Sequence, residues 1–541
     1  MKKVINYDSS ATEGLRAGVN KLAKAVTVTL GPSGRNVIIA KPFIPSTSTK
    51  DGVTVAKEVN LTDPLENTGA QMVKEVALKA NELSGDGTST AIVLANSIIN
   101  VGFDAIGEHK IQPIQYKRGV DLAVKDVVAM LKIIATPLRL NSKRLKDVVN
   151  ISSNGDKDLT REIIKAYKGV GKHGIVTIEE SKGNNTYADI VPGMQFDRGY
   201  ISPYFINIPD KSITEFHNPL VLIADSKIKN PTDILNYCEY AISANRPLYI
   251  IAEDVEGEAL STLVVNKLNG VLDVVCVRAH GFGDRRRDNL FDLAILTGGA
   301  LVSESLGHTL SKANPEFVLG SAKKIIVTKE TTTIVAEPTE EQKFLIDKRV
   351  VEIQAQIDCA VLPFDKLKQE ERLARLIGGV AIVYVGANSD LEIGEIKDRA
   401  DDASKATRAA IAEGIVPGGG RALEYISSAL TENLSVANFN NPGEREGYLG
   451  LLIALLSPSQ CIAENSGLKY KQISVDKGVN YGLDASTGQY VDLLEAGIVD
   501  PKKVTRVALE SAASIAGMIL TTACTIVGLE SKGESEFESI E

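Results

Sequence analysis

The apolar residues change period twice along this chain of 541 residues, and that change limits how it can fold. Near the N-terminus, Leu15, Val19, Leu22, Ala23 and Val26 recur at helical spacing within Ala11 to Leu30. Leu65, Met72, Val73, Val76, Ala77 and Ala80 do the same from Pro64 to Leu83, and Ile92, Val93, Ile98 and Ile99 from Ala91 to Phe103. A further helical pattern covers Gln112 to Leu131, and others cover Asp390 to Ala412 and the region after Pro417. In the middle, short apolar runs (Leu220–Ile223, Leu248–Ile251, Val271–Val277) alternate with helical patterns (Thr232–Ser243, Glu256–Leu268, Arg287–Leu296). That alternation is the signature of α/β layering. At 57.9 kDa the chain exceeds what one core holds. Helices at both ends around an α/β block predict one helical domain built from the two termini, with a separate α/β domain inserted.

Three glycine-rich places interrupt the helical ends. Gly31-Pro32-Ser33-Gly34 stops the first helix, and Asn36–Ile39 reads as a strand. Gly52-Val53-Thr54-Val55, after Lys50 and Asp51, also reads as a strand. The run Gly85-Asp86-Gly87-Thr88-Ser89-Thr90 separates two helices and offers N-cap candidates to the second. A helix N-terminus suits a phosphate, and Asp86 beside it suits a hard cation. An ordinary turn with a cap reads the same residues equally well. Gly418-Gly419-Gly420 allows close approach to a ligand or serves as a flexible link. Asp401-Asp402 on a helix reads as a solvated pair, with a catalytic role the lesser alternative.

Elsewhere the readings are plainer. Gly174–Ile178 and Val380–Val385 are strands, and Glu340 to Leu376 is one long charged helical stretch. Gly281–Arg287 lacks the spacing of a dinucleotide or P-loop fingerprint and reads as a turn with a basic helix start. The helix Gly257–Val265 carries more apolar residues than one buried stripe needs, so either all of them pack inward or some form a ledge for a partner. A net charge of -9 argues against a nucleic-acid protein. The uncharged stretch Ser511–Leu529 reads as a buried small-residue helix rather than a membrane span, and Met1–Asp8 has no apolar run of a signal peptide. Five scattered cysteines fit a reducing, cytoplasmic setting.

Taken in order, several stretches resemble the GroEL-type (group I) chaperonins. They are Thr29-Leu30-Gly31-Pro32, Lys50-Asp51-Gly52, Gly85–Thr90, Met194–Tyr200, Ile251–Leu260, Gly281–Arg286, Thr407–Ala410, Gly418–Gly420 and Asp500-Pro501. The resemblance implies a mainly helical equatorial domain (1–136 and 414–541), an intermediate hinge domain (137–192 and 380–413) and an inserted α/β apical domain (193–379). Hinges would lie near Pro137 and Gly414, and near Gly193 and Gly379.

It implies ATP, Mg²⁺ and K⁺ as cofactors. Thr29, Leu30, Gly31, Pro32, Lys50, Gly87, Thr88, Ser89 and Thr90 would surround the nucleotide, with Gly419, Asp484, Ala485, Ile498 and Asp500 on adenosine. Asp86 would hold Mg²⁺, Thr29 and Lys50 would lie near K⁺, and Asp402, assisted by Asp51, would position the attacking water. Non-native polypeptides and a GroES-like lid would meet Tyr200, Tyr204, Phe205, Leu235, Cys238, Leu260, Val264 and Val265, on a heptameric ring. The chain departs from the family at Gln460, Lys469 and Asp484, and in the acidic stretch Lys532–Glu541 where a Gly-Gly-Met tail is usual. A phosphotransferase using the Gly85–Thr90 loop and a passive holdase are the alternative functional classes.

Overall fold

The computed structural model describes residues 2–41, 44–171, 174–181, 183–281, 283–303, 307, 309–360, 363–387, 389–434 and 439–529. The chain divides into two compact units, Met1–Arg161 with Asp398–Glu541, and Glu162–Lys397. The first is discontinuous and the second is its insert, as the change of period predicts. The division falls at different residues from the three-domain boundaries.

The first unit is a stack of helices: Asp8–Thr27, Pro64–Ser84, Thr88–His109, Pro113–Ile134, Pro442–Ala454 and Lys502–Leu520. Their predicted apolar stripes are the core, since Leu15, Val19, Leu22, Val73, Val76, Ala77, Ile92, Ile98 and Ile99 are all buried. Helix starts follow local chemistry. Asp63 accepts from the N–H groups of Leu65 and Glu66, with Pro64 at the first helical position. The same helix ends at Gly85, whose φ of 74° is the left-handed cap geometry glycine allows.

Two helix pairs meet at backbone contact. A Cβ on Gly69 would lie 2.2 Å from the carbonyl oxygen of Leu15, and one on Gly18 would lie 1.8 Å from that of Glu66. The second pair repeats this, with Gly119 against Glu444 and Gly447 against Tyr116. Only hydrogen fits at these four positions, so the glycines set the crossing distance.

Three expectations for this unit change. Gly52–Glu58 is a helix rather than a strand, because Asp51 caps it: its carboxylate accepts from the N–H of Val53 at 3.1 Å and of Thr54 at 2.8 Å. That cap satisfies donors a strand would leave open, and it overrides the β-branched composition. The helix expected over Ser511–Leu529 stops at Leu520, and Cys524–Leu529 forms an antiparallel strand with Lys2–Tyr7. The region after Pro417 is not uniformly helical either: strands Tyr481–Asp484 and Gln489–Asp492 form a hairpin, and Ile415–Pro417 pairs with Val499–Pro501. Among the described residues, Thr88–His109 and Pro442–Asn465 are long and apolar enough to cross a membrane by composition, and both pack into the helical core.

The second unit holds a parallel sheet in which Leu248–Ala252 lies between Leu220–Ala224 and Val274–Arg278, with Leu301–Val302 beyond. Both faces are covered, so every residue of Leu220–Ala224 and Leu248–Ala252 is buried. An antiparallel sheet of Gly193–Phe196, Thr332–Val335, Lys324–Val327 and Thr214–His217 accompanies it. Ile175–Glu180, Val380–Val385 and Tyr187–Val191 form a third, smaller sheet.

The long charged stretch is two helices, Glu340–Cys359 and Pro363–Gly378. Proline cannot continue a helix from the residue before it, so the break precedes Pro363. A buried ion cluster pins both helices: Asp292 accepts from Arg349 Nε at 2.8 Å and from Arg372 Nη2 at 2.7 Å. The basic run after Gly283 is structural too. Arg286 and Arg287 pair with Asp225 at 3.0 and 3.1 Å.

The glycine contacts predict a large effect from a small substitution. Gly69→Val should lower the stability of the first unit by about 3 kcal/mol, because backbone cannot yield to the added methyls. Urea unfolding followed by circular dichroism measures it, and a change within experimental error would contradict the packing described.

Candidate functional site

Within the first unit, segments far apart in sequence converge on the Gly85–Thr90 loop. Gly87 adopts a φ of 81° and begins the Thr88–His109 helix, which no side chain caps. Its first N–H groups are therefore offered to whatever lies before the helix. A Cβ on Gly52 would lie 2.2 Å from Ser89 Oγ and 3.1 Å from Thr88 Oγ1, so the Asp51-capped helix closes one side. Thr29 Oγ1 lies 3.2 Å from Ser89 Oγ, which brings the end of the first helix to the same place. Asn465 donates to the carbonyls of Thr27 at 2.8 Å and Leu30 at 2.9 Å, holding the Thr29–Pro32 turn. Lys405 lays its aliphatic stem over Gly85, 2.3 Å from where a Cβ would be.

On the opposite side, Val416 pairs with Asp500 in the short two-stranded sheet. This places the Asp500 carboxylate 3.2 Å from the Cβ position of Gly418. The Gly418 N–H donates to Ile498 at 3.0 Å. Gly419, with φ of 64°, faces the carbonyl of Leu483 on the hairpin at 3.9 Å from its Cβ position.

Five carboxylates are coupled by charge here: Asp51, Asp86, Asp401, Asp402 and Asp500. Burial raises the Asp86 pKa above the ordinary carboxylate value; the Gly87 N–H, 2.5 Å from Oδ1, works against it, Asp51 adds to it and Lys405 opposes it. Asp402 is pushed up to about 8, first by burial and then by Asp86, with smaller additions from Asp51 and Asp401. Asp500 is pushed up to about 7 by burial and by Asp86. Each of these three residues keeps partial exposure, so the group is recessed yet reachable. Recessed acids that repel one another form a place where a cation is missed.

The acids nonetheless form no metal cage. Among the described residues, no three His, Cys, Asp or Glu side chains are arranged to hold an ion by themselves. That suits Mg²⁺, which usually takes one or two carboxylates together with substrate phosphates and water.

Several residues named from sequence have their side chains engaged locally or lie at the surface. Both Asp51 oxygens are engaged by Val53, Thr54 N–H and the Thr54 hydroxyl, so Asp51 acts as a cap. Asp484 accepts from Ser486 N–H at 2.9 Å and from Thr487 Oγ1 at 2.8 Å. Partial burial raises its pKa, but those bonds outweigh it and keep the carboxyl below its usual range. Pro32 and Lys50 are exposed. The ammonium of Lys50 has no electron pair for a cation, so only its carbonyl could serve K⁺. Asn465 and Lys405 were not foreseen, because neither carries a sequence signal beyond its place on a helix.

In the second unit the apolar ledge is real in part. Tyr204 is 63% exposed, Leu235 50% and Val265 54%, while Tyr200, Cys238, Leu260 and Val264 are partly buried. Phe205 corrects the expectation: it is 0% exposed, part of the core, and its carbonyl accepts from Thr214. Ala259 and Leu263 anchor the Gly257–Leu268 helix, which leaves Val265 and Leu268 outward.

A discontinuous helical unit with an acid-lined glycine loop, carrying an inserted α/β unit with an exposed apolar ledge, is a chaperonin architecture. The chain belongs to the TCP-1/cpn60 chaperonin family, whose sequence model matches residues 22–528. Two similar solved structures are crystal forms of chaperonin gp146 from bacteriophage EL 2 (Pseudomonas aeruginosa), both in the presence of ATP-BeFx. Each is 21% identical; form II has a TM-score of 0.72 and form I of 0.65, over 97% of this chain and 100% or 99% of that one.

The carboxylate cluster predicts a pH dependence. Folded-state pKa values above the unfolded ones mean that the native state binds more protons, so stability falls with rising pH. For Asp402 the loss begins above the ordinary value of 3.8 and is complete past about 8. Asp402→Asn should therefore raise the melting temperature of the nucleotide-free protein at pH 8 and leave it unchanged at pH 4. Equal shifts at both pH values would contradict the assigned repulsion.

Proposed function

We propose that this chaperonin is an ATPase that captures non-native proteins on its second unit and releases them through a nucleotide-driven cycle in its first. The observation that carries the reading is the set of mutually repelling carboxylates beside an uncapped helix N-terminus. Both features call for a ligand that brings phosphate and a divalent cation together.

The residues divide the work. The N–H groups and hydroxyls of Thr88, Ser89 and Thr90 would donate to phosphate oxygens, and Asp86 would be the carboxylate that holds Mg²⁺. When bound, the cation supplies neutralisation of phosphate charge. Asp402 orients the attacking water by accepting its proton-bearing edge, which is the main need of an in-line phosphoryl transfer. Asp51 is a positioning residue, because its cap fixes the helix that presses on Ser89. Gly418–Gly420, Ile498, Asp500 and the Asp484-Ala485 end of the hairpin form the adenosine side. Thr29 Oγ1 and the carbonyl of Lys50 are the candidate K⁺ contacts.

The assembly that goes with this cycle is a homo-oligomeric ring of seven copies with a GroES-like lid, in the cytoplasm. Family membership supports the ring, and the three-domain scheme with its intermediate hinge goes with it. Thr136 and Ile415 exchange two backbone bonds, at 2.8 and 2.9 Å, where the first of the proposed hinges would lie.

Asp402→Ala should leave ATP binding intact and lower turnover at least about 100-fold, the usual contribution of a positioned base. Single-turnover ATPase measurements decide it, and unchanged turnover would refute the role. On the second unit, Tyr204→Ser, Leu235→Ser and Val265→Ser together should abolish capture of an unfolded protein while ATP turnover persists. Phe205→Ala should instead destabilise that unit by about 3–5 kcal/mol, as a buried aromatic does. Light scattering of an aggregating substrate and thermal melts separate the two outcomes.

A further inference from the structure

The first turn of the Arg421–Glu432 helix, directly after Gly418-Gly419-Gly420, buries a charged pair that the nucleotide reading leaves unused. Arg421 is 2% exposed and Glu424 3%, with Arg421 Nη1 3.6 Å from Glu424 Oε2. A buried ion pair is weak evidence of stabilisation, because taking both charges out of water offsets most of their attraction. What these two side chains do is hold another segment. Arg421 Nη2 donates to the carbonyl of Gly478 at 2.9 Å and Nη1 to that of Ile473 at 3.4 Å. The N–H of Ile473 donates to Glu424 Oε1 at 2.8 Å. Charged partners make these bonds stronger than neutral ones.

Beyond Asn465 the gripped segment has few other anchors, one of them the Gln472 amide donating to Ser428 Oγ at 3.0 Å. From Glu464 to Asn480, Ile473 is the only buried residue. After the Ser457–Asn465 helix ends, its one regular element is the single turn Val475–Lys477. Such a segment opens easily unless tethered. It runs straight into the hairpin strand Tyr481–Asp484, where Arg421 Cγ lies 3.3 Å from the Cβ position of Gly482 and the Leu483 carbonyl faces Gly419. Arg421 therefore touches the foot of the hairpin, and both side chains hold the segment that leads into it.

We propose that Arg421 and Glu424 are a positioning pair that sets the gap between the Gly418–Gly420 run and the hairpin, and thereby the affinity for the nucleoside part of the nucleotide. This rests on the nucleotide reading above. Neither residue reaches the phosphate end of the site, so the pair governs binding and leaves the chemical step alone.

The test uses the full chain and the double variant Arg421→Met, Glu424→Leu, which removes both charges together and leaves none buried alone. The Kd for ATP should weaken about tenfold, the loss expected from one or two charge-assisted bonds. Turnover at saturating ATP should stay within about twofold, a split that general destabilisation does not produce. Amide hydrogen exchange should quicken over residues 473–484 and stay unchanged over the Lys502–Leu520 helix. Arg421→Lys keeps the charge beside Glu424 and loses the two-carbonyl grip, so it should weaken binding by about threefold. It also decides the matter should the double variant not fold.

Wild-type affinity in both variants, or turnover falling in step with affinity, overturns the proposal. Failure of the unaltered protein to bind ATP would instead overturn the nucleotide reading itself.

Discussion

The first unit depends on how closely its helices approach. Gly18 and Gly69 on one pair, and Gly119 and Gly447 on another, bring backbone against backbone at distances no side chain permits. With no Trp and few other aromatics, the core is built from Ala, Val, Ile and Leu, whose small volumes match such spacing. The second of these pairs joins the N-terminal part of the chain to the C-terminal part, so the discontinuous unit closes there. The site exists because of that closure: Asp86 comes from one part, Asp402 and Asp500 from the other, and their mutual repulsion is the result.

That repulsion is tolerated because the rest of the unit over-determines it. The Asp51 cap, the Asn465 bonds to Thr27 and Leu30, and the Gly418 bond to Ile498 hold the surrounding loops without help from Asp86, Asp402 or Asp500. Charge repulsion held in this way costs the folded unit stability as its acids ionise. The second unit follows a different logic. Its sheet is buried on both faces, and the deep ion cluster around Asp292 locks two helices in place. The ledge at Tyr204, Leu235 and Val265 is thus a rim on a rigid body.

Much of this was legible in the residues. The helical stripes, the inserted α/β block and the glycine loop all rest on local periodicity and turn chemistry, which act within a few residues. The errors were of one kind. Gly52–Val55 reads as a strand by its β-branched residues, but a single cap at Asp51 outweighs them. Ser511–Leu529 reads as one helix, but pairing with Lys2–Tyr7 claims its last residues, and such a partner is invisible locally. The family resemblance puts Phe205 on the exposed ledge, yet its side chain is in the core.

By itself the sequence determined the type and order of most elements, the insertion of one unit into another, and which acids and glycines belong to the loops. Only the tertiary structure decided which of those acids influence one another, that Asp402 lies recessed near Asp86, and that Arg421 with Glu424 grips the approach to the hairpin. The reason is physical: capping and periodicity act along the chain, whereas desolvation and charge repulsion depend on distances between residues hundreds of positions apart.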